Sequence, residues 1–114
     1  MKEYQLQIKL INYLRSKKLS KFRFFHVPNQ GVRSIRQKLL LASMGMKSGC
    51  PDLILEFKGG RIVYIEIKAN RGTLTRNQRI WQLNSRLLKT PHYILKGELN
   101  GLIQQLNIII TKHY

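Results

Sequence analysis

The chain has 114 residues, of which 43 % are hydrophobic, so it is long enough for one compact domain with a genuine core. Its 21 Lys and Arg against five Asp and Glu give a formal net charge of +16 at pH 7. Such an excess excludes an ordinary soluble enzyme surface and favours a polyanionic partner, chiefly nucleic acid. A ribosomal-type RNA-binding protein, or a positive surface that serves solubility alone, is the alternative.

Cysteine and histidine usage argues against two common kinds of site. Cys50 is the only cysteine, which excludes a disulfide framework within the chain and a thiolate zinc cluster. His26, His92 and His113 share no ligand spacing, so we expect them to be packed or surface residues. No apolar run reaches membrane-spanning length, and the N-terminus lacks the hydrophobic region of a signal peptide. We therefore expect an intracellular, cytoplasmic protein.

The first half of the chain predicts helix, strand and helix. Residues 2–19 read as a helix. The apolar residues close to one face of it are Tyr4, Ile8, Ile11 and Leu14. Residues 22–28 are aromatic and predict a strand, with turn chemistry at 28–31. Residues 34–45 predict a second helix, which opens with the capping-box pair Ser34 and Gln37 and stops at a glycine.

The second half predicts two strands, a helix, a strand and a helix. Residues 52–57 and 61–68 form a hairpin around Gly59-Gly60. Residues 75–89 form a helix with a capping-box pattern at its head. The residues of this helix that we expect to face inward are Ile80, Leu83, Leu87 and Leu88. A strand at 92–96 and a helix at 98–110 complete the order αβαββαβα. The predicted fold is one α/β domain over 1–114, a small mixed sheet flanked by helices.

The few acidic residues are concentrated in the hairpin, where Asp52, Glu56 and Glu66 lie. Glu66 and Lys68 are two positions apart on a strand, so their side chains leave the same face about 7 Å apart. If the hairpin brings Asp52 beside Glu66, two carboxylates converge at one end of the sheet. Hard divalent cations such as Mg²⁺ bind in this kind of oxygen site, and a neighbouring lysine can assist the attacking water. Glu56 lies nearer the turn and is not expected to be a ligand.

The geometry of a hairpin restricts which residues can meet, because opposed residues of an antiparallel pair share a face. A strict two-residue turn at Gly59-Gly60 would pair Asp52 with Ile67 and point it away from Glu66. We therefore predict a three-residue connection with a glycine in the left-handed region, or a bulge near Asp52.

The spacing Pro-Asp, thirteen residues, Glu-x-Lys resembles the signature of the PD-(D/E)XK nuclease superfamily. Further stretches occur in the matching order, namely "KEYQLQ", "PNQGVRS", "GMKSGCPDL" and "IEIKANRGTLTRNQRIWQL". Together they are similar to the VRR-NUC (virus-type replication-repair nuclease) family, in its stand-alone single-domain form from phages and bacteria. The resemblance implies a restriction-endonuclease-like core, and a bacterial or phage-infected host cell as the setting.

The family resemblance also implies roles at individual positions. Asp52 and Glu66 would bind Mg²⁺ or Mn²⁺ directly, with the backbone carbonyl of Ile67 as a third ligand, and Lys68 would be the catalytic lysine. Glu3 would touch the metal or its waters, although it could simply favour a helix N-terminus. In the same way Gln78 would reach the site, although it could be only the capping partner of Thr75.

Basic residues flank these motifs and are the candidates for phosphate contacts. They are Arg33, Arg36, Lys47, Arg71, Arg76 and Arg79. The resemblance implies a homodimeric endonuclease that acts on branched DNA, including four-way (Holliday) junctions, and serves DNA repair. The apolar segments "FRFF" and "NIII" could face the second subunit or pack in the core. A non-catalytic basic nucleic-acid-binding protein is the alternative, although Asp52, Glu66 and Lys68 are all retained.

Overall fold

A computed structural model describes residues 1–17, 21–28 and 34–114, and it has the element order that the sequence predicts. The elements are α1 (Glu3–Ser16), β1 (Phe22–His26), α2 (Ile35–Ser43), β2 (Leu53–Phe57), β3 (Arg61–Lys68), α3 (Arg76–Leu87), β4 (His92–Lys96) and α4 (Leu99–His113). A 3₁₀ turn at Lys58–Gly60 joins β2 to β3. Beyond Pro28, the predicted turn at 28–31 lies outside the described residues. Among the described helices, none is long and apolar enough to cross a membrane.

Within the described residues, the strands form one mixed sheet in the order β1-β2-β3-β4. β1, β2 and β3 pair antiparallel, whereas β4 runs parallel to β3. Helix α3 makes the crossover that a parallel pair requires. The start of β2 and the end of β3 therefore meet at the same end of the sheet.

One face of the sheet forms the core, because alternate residues of each strand point to the same side. From β2 and β3 these are Leu53, Leu55, Phe57, Val63, Ile65 and Ile67, all buried. They join one apolar cluster with buried residues of α1 and α4. The α1 residues in it are Leu6, Leu10 and Leu14, so of the apolar residues that the sequence placed close to one face of this helix, Leu14 belongs to the core. Tyr4 and Ile8 are more than half exposed, because a second apolar stripe on the same helix points at the sheet.

Helix α3 lies over the opposite face of the sheet and turns an unexpected side toward it. The Trp81 ring meets the Tyr64 ring edge-on with centroids 5.8 Å apart, and Ser85 is buried. The residues that the sequence predicted to face inward are instead exposed. They are Ile80, Leu83, Leu87 and Leu88. That prediction was wrong, because a polar stripe with one Trp packs on the sheet.

The segments "FRFF" and "NIII" are each divided between core and surface. Phe22 stacks on Phe57 with ring centroids 5.3 Å apart, and Phe24 packs partly buried against the same cluster. Ile109 and Ile110 are buried. Core packing, one of the two alternatives that the sequence left open, therefore accounts for Phe22, Phe24, Ile109 and Ile110, whereas Phe25 and Ile108 are exposed.

Candidate active site

The connection between β2 and β3 sets which side chains share a face. It has three residues, Lys58–Gly60, and both of its glycines are left-handed, with φ of 81° at Gly59 and 75° at Gly60. Phe57 pairs with Arg61 and Leu53 with Ile65. The same register carried one residue further places Asp52 opposite Glu66. The predicted three-residue connection is confirmed.

Asp52 and Glu66 are buried side by side where β2 begins and β3 nears its end. Asp52 Oδ2 accepts a hydrogen bond of 2.7 Å from the Ile67 backbone N–H, which fixes the direction of this carboxylate. Burial, and after it the negative charge of Asp52, raises the pKa of Glu66 to about 8, although the nearby Lys68 charge opposes this rise. A hydrogen bond with the Asp52 carboxyl also raises the pKa, because that bond requires a proton on the pair.

Lys68 brings a buried ammonium group to the carboxylates. Its Nζ lies 3.7 Å from Glu66 Oε1 and 4.0 Å from Glu3 Oε1. Glu3 is the first residue of α1, so this helix delivers its acid across the end of the sheet. Gly72 makes room for the approach, because a Cβ there would lie 2.9 Å from Glu3 Oε1 and 3.3 Å from Lys68 Cδ.

Gln78 does both things that the sequence left as alternatives. Its backbone N–H and side-chain Oε1 form the two hydrogen bonds of a capping box with Thr75. Its side-chain Nε2 donates a hydrogen bond of 2.8 Å to Glu66 Oε1. The N-terminal turn of α3 therefore holds one of the site carboxylates.

The loop before Asp52 requires a glycine at position 49, which the sequence analysis did not predict. Gly49 has φ of 85°, and a Cβ there would lie 2.4 Å from the Asn77 carbonyl oxygen. The neighbouring Ser48 hydroxyl accepts a hydrogen bond of 2.9 Å from the Asn77 side chain. The loop before Asp52 is thus packed directly on the first turn of α3. The sequence "GCPD" could have indicated that this glycine matters, but nothing in the sequence indicates its close approach to a helix.

His26 is the second residue that the sequence analysis did not connect with the site. Its Nδ1 lies 2.6 Å from the backbone carbonyl oxygen of Asp52. Because a carbonyl only accepts, the imidazole Nδ1–H must be the donor. His26 is the last residue of β1 and pairs with Leu53, so its side chain holds Asp52 one position beyond the ladder.

The donor set fits a hard divalent cation. Glu66 Oε2 is buried and has no hydrogen-bond partner among the described residues, and a bound cation would satisfy such an atom. The alternation of peptide groups along β3 directs the Ile67 carbonyl, like its N–H, toward the side of Asp52. Glu56 stands apart, in an ion pair with Arg23.

The cluster is open rather than a closed cage. Within residues 1–17, 21–28 and 34–114, no group of three or more His, Cys, Asp or Glu is placed to hold a metal ion. Magnesium commonly binds through one or two carboxylates, with waters and substrate phosphate completing its shell. Asp52 and Glu66, with the Ile67 carbonyl, match that smaller requirement.

The residues predicted to contact phosphate are exposed wherever the structure describes them. Arg36, Lys47, Arg71 and Arg76 are exposed, and Arg71 lines an open cleft of about 670 Å³ beside the N-terminus of α4. Arg79 is exposed too, but its guanidinium donates to the Leu74 carbonyl at 3.3 and 3.4 Å. Arg33 lies outside the described residues.

The chain thus forms a mixed sheet with helices on both sides, and Asp52, Glu66 and Lys68 are buried together at one end of it. The family model for the VRR-NUC domain matches residues 2–92, and the chain belongs to this family. The family membership identifies the fold as that of a nuclease domain.

Solved structures agree on the fold. A protein described as a VRR-NUC domain protein superposes with a TM-score of 0.74 at 21 % identity, covering 99 % of this chain and 88 % of the other. A second, described as a VRR-NUC domain, gives a TM-score of 0.60 at 14 % identity, with coverage of 92 % and 94 %. A search of curated protein sequences finds no significant match.

Proposed function

We propose that this protein is a Mg²⁺- or Mn²⁺-dependent endodeoxyribonuclease that hydrolyses phosphodiester bonds. The observation that carries the proposal is the buried pair Asp52 and Glu66 beside Lys68, with one Glu66 oxygen left without a hydrogen-bond partner. A cation held there would supply the positive charge that activates water and stabilises a phosphorane-like transition state.

The protein groups divide the remaining work. Asp52 and Glu66 would hold the cation, and the hydrogen bonds from Ile67 and Gln78 keep their oxygens in position. The Lys68 ammonium, near two carboxylates, is placed to orient the attacking water or to donate to a phosphate oxygen. Glu3 is partly exposed, which suits contact with a metal-bound water rather than direct ligation.

We propose branched DNA, such as a four-way junction, as the substrate. The support is the family membership together with the net charge of +16, which suits a substrate that presents phosphates on several arms. A junction has near two-fold symmetry and must be nicked on two strands, so a homodimer with two sites suits it. We further propose that residues 1–114 act as one domain, in the cytoplasm.

Labelled duplex, flap and four-way-junction DNA should be incubated with the pure protein and Mg²⁺ or Mn²⁺. We expect cleavage, fastest on the junction, that EDTA abolishes. Asp52→Asn and Glu66→Gln should each lower the rate by several powers of ten without weakening DNA binding, because they remove repulsion of phosphate. Lys68→Ala should lose activity and still bind Mn²⁺ in calorimetry.

Glu56→Gln is the matched control, because it removes a carboxylate that is paired with Arg23 away from the site. It should cut like the wild type. Substantial metal-dependent cleavage by Asp52→Asn or Glu66→Gln would refute the site assignment. Tight DNA binding without cleavage in any metal would instead identify a non-catalytic nucleic-acid-binding protein.

A further inference from the structure

A second set of basic residues lies at the end of the sheet opposite the candidate active site. The site carboxylates are at the start of β2 and near the end of β3, whereas the turn Lys58–Gly60 marks the other end of the same hairpin. Helix α1 runs between the two ends, because Glu3 reaches the site and Lys17 is the C-terminal cap. The 14 residues of this helix span roughly 21 Å.

Lys17 is held in place at the end of α1 by two contacts. Its Nζ donates a hydrogen bond of 2.9 Å to Asn107 Oδ1 and lies 4.9 Å from the centroid of the Tyr13 ring. The Asn107 amide donates in turn to the Tyr13 hydroxyl at 2.8 Å. A lysine ammonium has three N–H donors, so this arrangement fixes the charge and leaves donors for an anion.

Two further cations lie over aromatic rings at the same end. The Lys21 Nζ is 5.4 Å from the centroid of the Tyr114 ring, and the Arg61 guanidinium carbon is 6.0 Å from that of Phe57. Phe22 connects these rings, with its centroid 6.3 Å from that of Tyr114 and 5.3 Å from that of Phe57. Such cation–π contacts restrain long side chains, which lowers the entropy that they lose on binding an anion.

The three cations belong to one continuous surface. An open cleft of about 310 Å³ is lined by both Lys17 and Tyr114, with Thr111 between them on α4. The cleft therefore joins Lys17 to the rings that hold the other two cations. We define the distal basic surface as Lys17, Lys21 and Arg61 with the aromatic rings that they contact.

Acidic side chains lie away from the distal basic surface. Three of the five in the chain are at the candidate active site, and Glu98 precedes the first residue of α4, at the opposite end of that helix. Glu56 points to the other face of the sheet, where it is paired with Arg23. A lysine at a helix C-terminus can serve the helix dipole alone, but Lys21 and Arg61 lie outside the helices. Exposed positive charge therefore accumulates here.

We propose that the distal basic surface binds the phosphate backbone of the DNA substrate, away from the bond that is cut. The inference rests on the proposed function for the identity of the DNA, whereas the binding itself requires neither metal nor cleavage. A separation of roughly 21 Å corresponds to about six base pairs of B-DNA. A membrane is a poorer fit, because Phe57 is buried and Phe22 half-buried, so neither ring is free to insert into lipid.

The test is the salt dependence of DNA binding, measured by fluorescence anisotropy with a labelled duplex and the full chain in EDTA. The variant Lys17→Gln/Lys21→Gln/Arg61→Gln removes the three cations of the distal basic surface. Each neutralised phosphate contributes about 0.9 to the slope of log K against log salt, so the slope should become shallower by about 2–3. The measurement is independent of cleavage, so an inactive protein would not affect its outcome.

The matched control is Lys9→Gln/Lys38→Gln/Arg86→Gln, which removes two lysines and one arginine from exposed positions on α1, α2 and α3. Its slope should change by less than about one. Equal changes in the two variants would show that net charge alone governs binding and would overturn the proposal. An unchanged slope in the first variant would overturn it as well.

Circular dichroism shows whether each variant is folded. If the triple variant is not, Lys17→Gln/Lys21→Gln provides the same test with an expected change of about two in the slope, against Lys9→Gln/Lys38→Gln. Vesicles of phosphatidylserine and phosphatidylcholine test the membrane reading. Loss of vesicle binding with an unchanged DNA slope would assign the distal basic surface to lipid and refute the proposal. Cleavage assays of the wild type report separately on the proposed nuclease.

Discussion

Glu66 contacts or faces most of the other residues of the site. It is buried, it faces Asp52 and Lys68, and one of its oxygens accepts a hydrogen bond from Gln78. A carboxylate in this setting is unfavourable without a cation, since burial and a second negative charge both oppose ionisation. The raised pKa of Glu66 follows from that unfavourable setting, which a bound cation would relieve.

The raised pKa makes the stability of the metal-free protein depend on pH. The fold favours protonated Glu66, so its contribution to stability is complete below the ordinary pKa of 4.5 and is lost as pH rises toward about 8. In EDTA, the melting temperature should fall over this window. Mn²⁺ should raise the melting temperature strongly above pH 8 and little at pH 5, where protons compete for the ligands. Scanning calorimetry at several pH values measures both effects.

Glu66→Gln is the control for that pH dependence. Burial lowers the pKa of His92 and His113, so these groups add stability that is lost at acidic pH. The difference between the wild type and Glu66→Gln isolates the carboxyl from these histidines. If the melting temperatures of the wild type and of Glu66→Gln change with pH in parallel in EDTA, the raised pKa of Glu66 would be contradicted.

His26 is expected to act as a positioning residue for Asp52. His26→Ala removes the donor to the Asp52 carbonyl and should weaken Mn²⁺ binding by about 10–100-fold, the usual effect of losing a group that orients a metal ligand. His26→Asn keeps an N–H donor on a short side chain and should recover part of that affinity. Calorimetric Mn²⁺ titration is the measurement.

His113→Ala is the comparison for His26, because His113 bonds to the Tyr93 hydroxyl away from the carboxylates. It should change stability and leave Mn²⁺ affinity as it was. Equal Mn²⁺ affinities for His26→Ala and the wild type would remove His26 from the site.

At the scale of elements, the hairpin could be predicted because it follows a parity rule. Side chains alternate along a strand, so the number of residues in the connection decides whether Asp52 and Glu66 share a face. Two glycines marked the turn, and the need for two adjacent carboxylates decided between two and three residues. The requirement that two carboxylates share a face at one end of the hairpin therefore predicted the length of the connection at its other end.

Helix α3 shows where the sequence was insufficient. Its stripe of Ile80, Leu83 and Leu87 has the spacing of a buried face, yet Trp81 and Ser85 face the sheet. Periodicity indicates that a face is buried but does not say against what. Contacts such as those of His26 and Gly49 were hidden for a related reason, because they join segments far apart in sequence.

At the scale of the whole molecule, the separation of acidic and basic groups governs how DNA binding responds to salt. The site holds buried acids, whereas basic residues such as Arg36, Lys47, Arg71 and Arg76 are exposed. A chain of this charge is expected to bind DNA largely by releasing counterions.

DNA affinity should fall steeply with salt, because the net charge of +16 is expected to neutralise phosphates and release their counterions. If about 6–10 phosphates are neutralised, binding of a junction by Glu66→Gln should weaken by roughly 10³–10⁵ between about 50 and 200 mM salt. The Glu66→Gln variant is used so that the DNA is not cut during the titration. Fluorescence anisotropy at several salt concentrations measures this affinity, and an affinity that hardly changes over the same range would contradict binding through the phosphates.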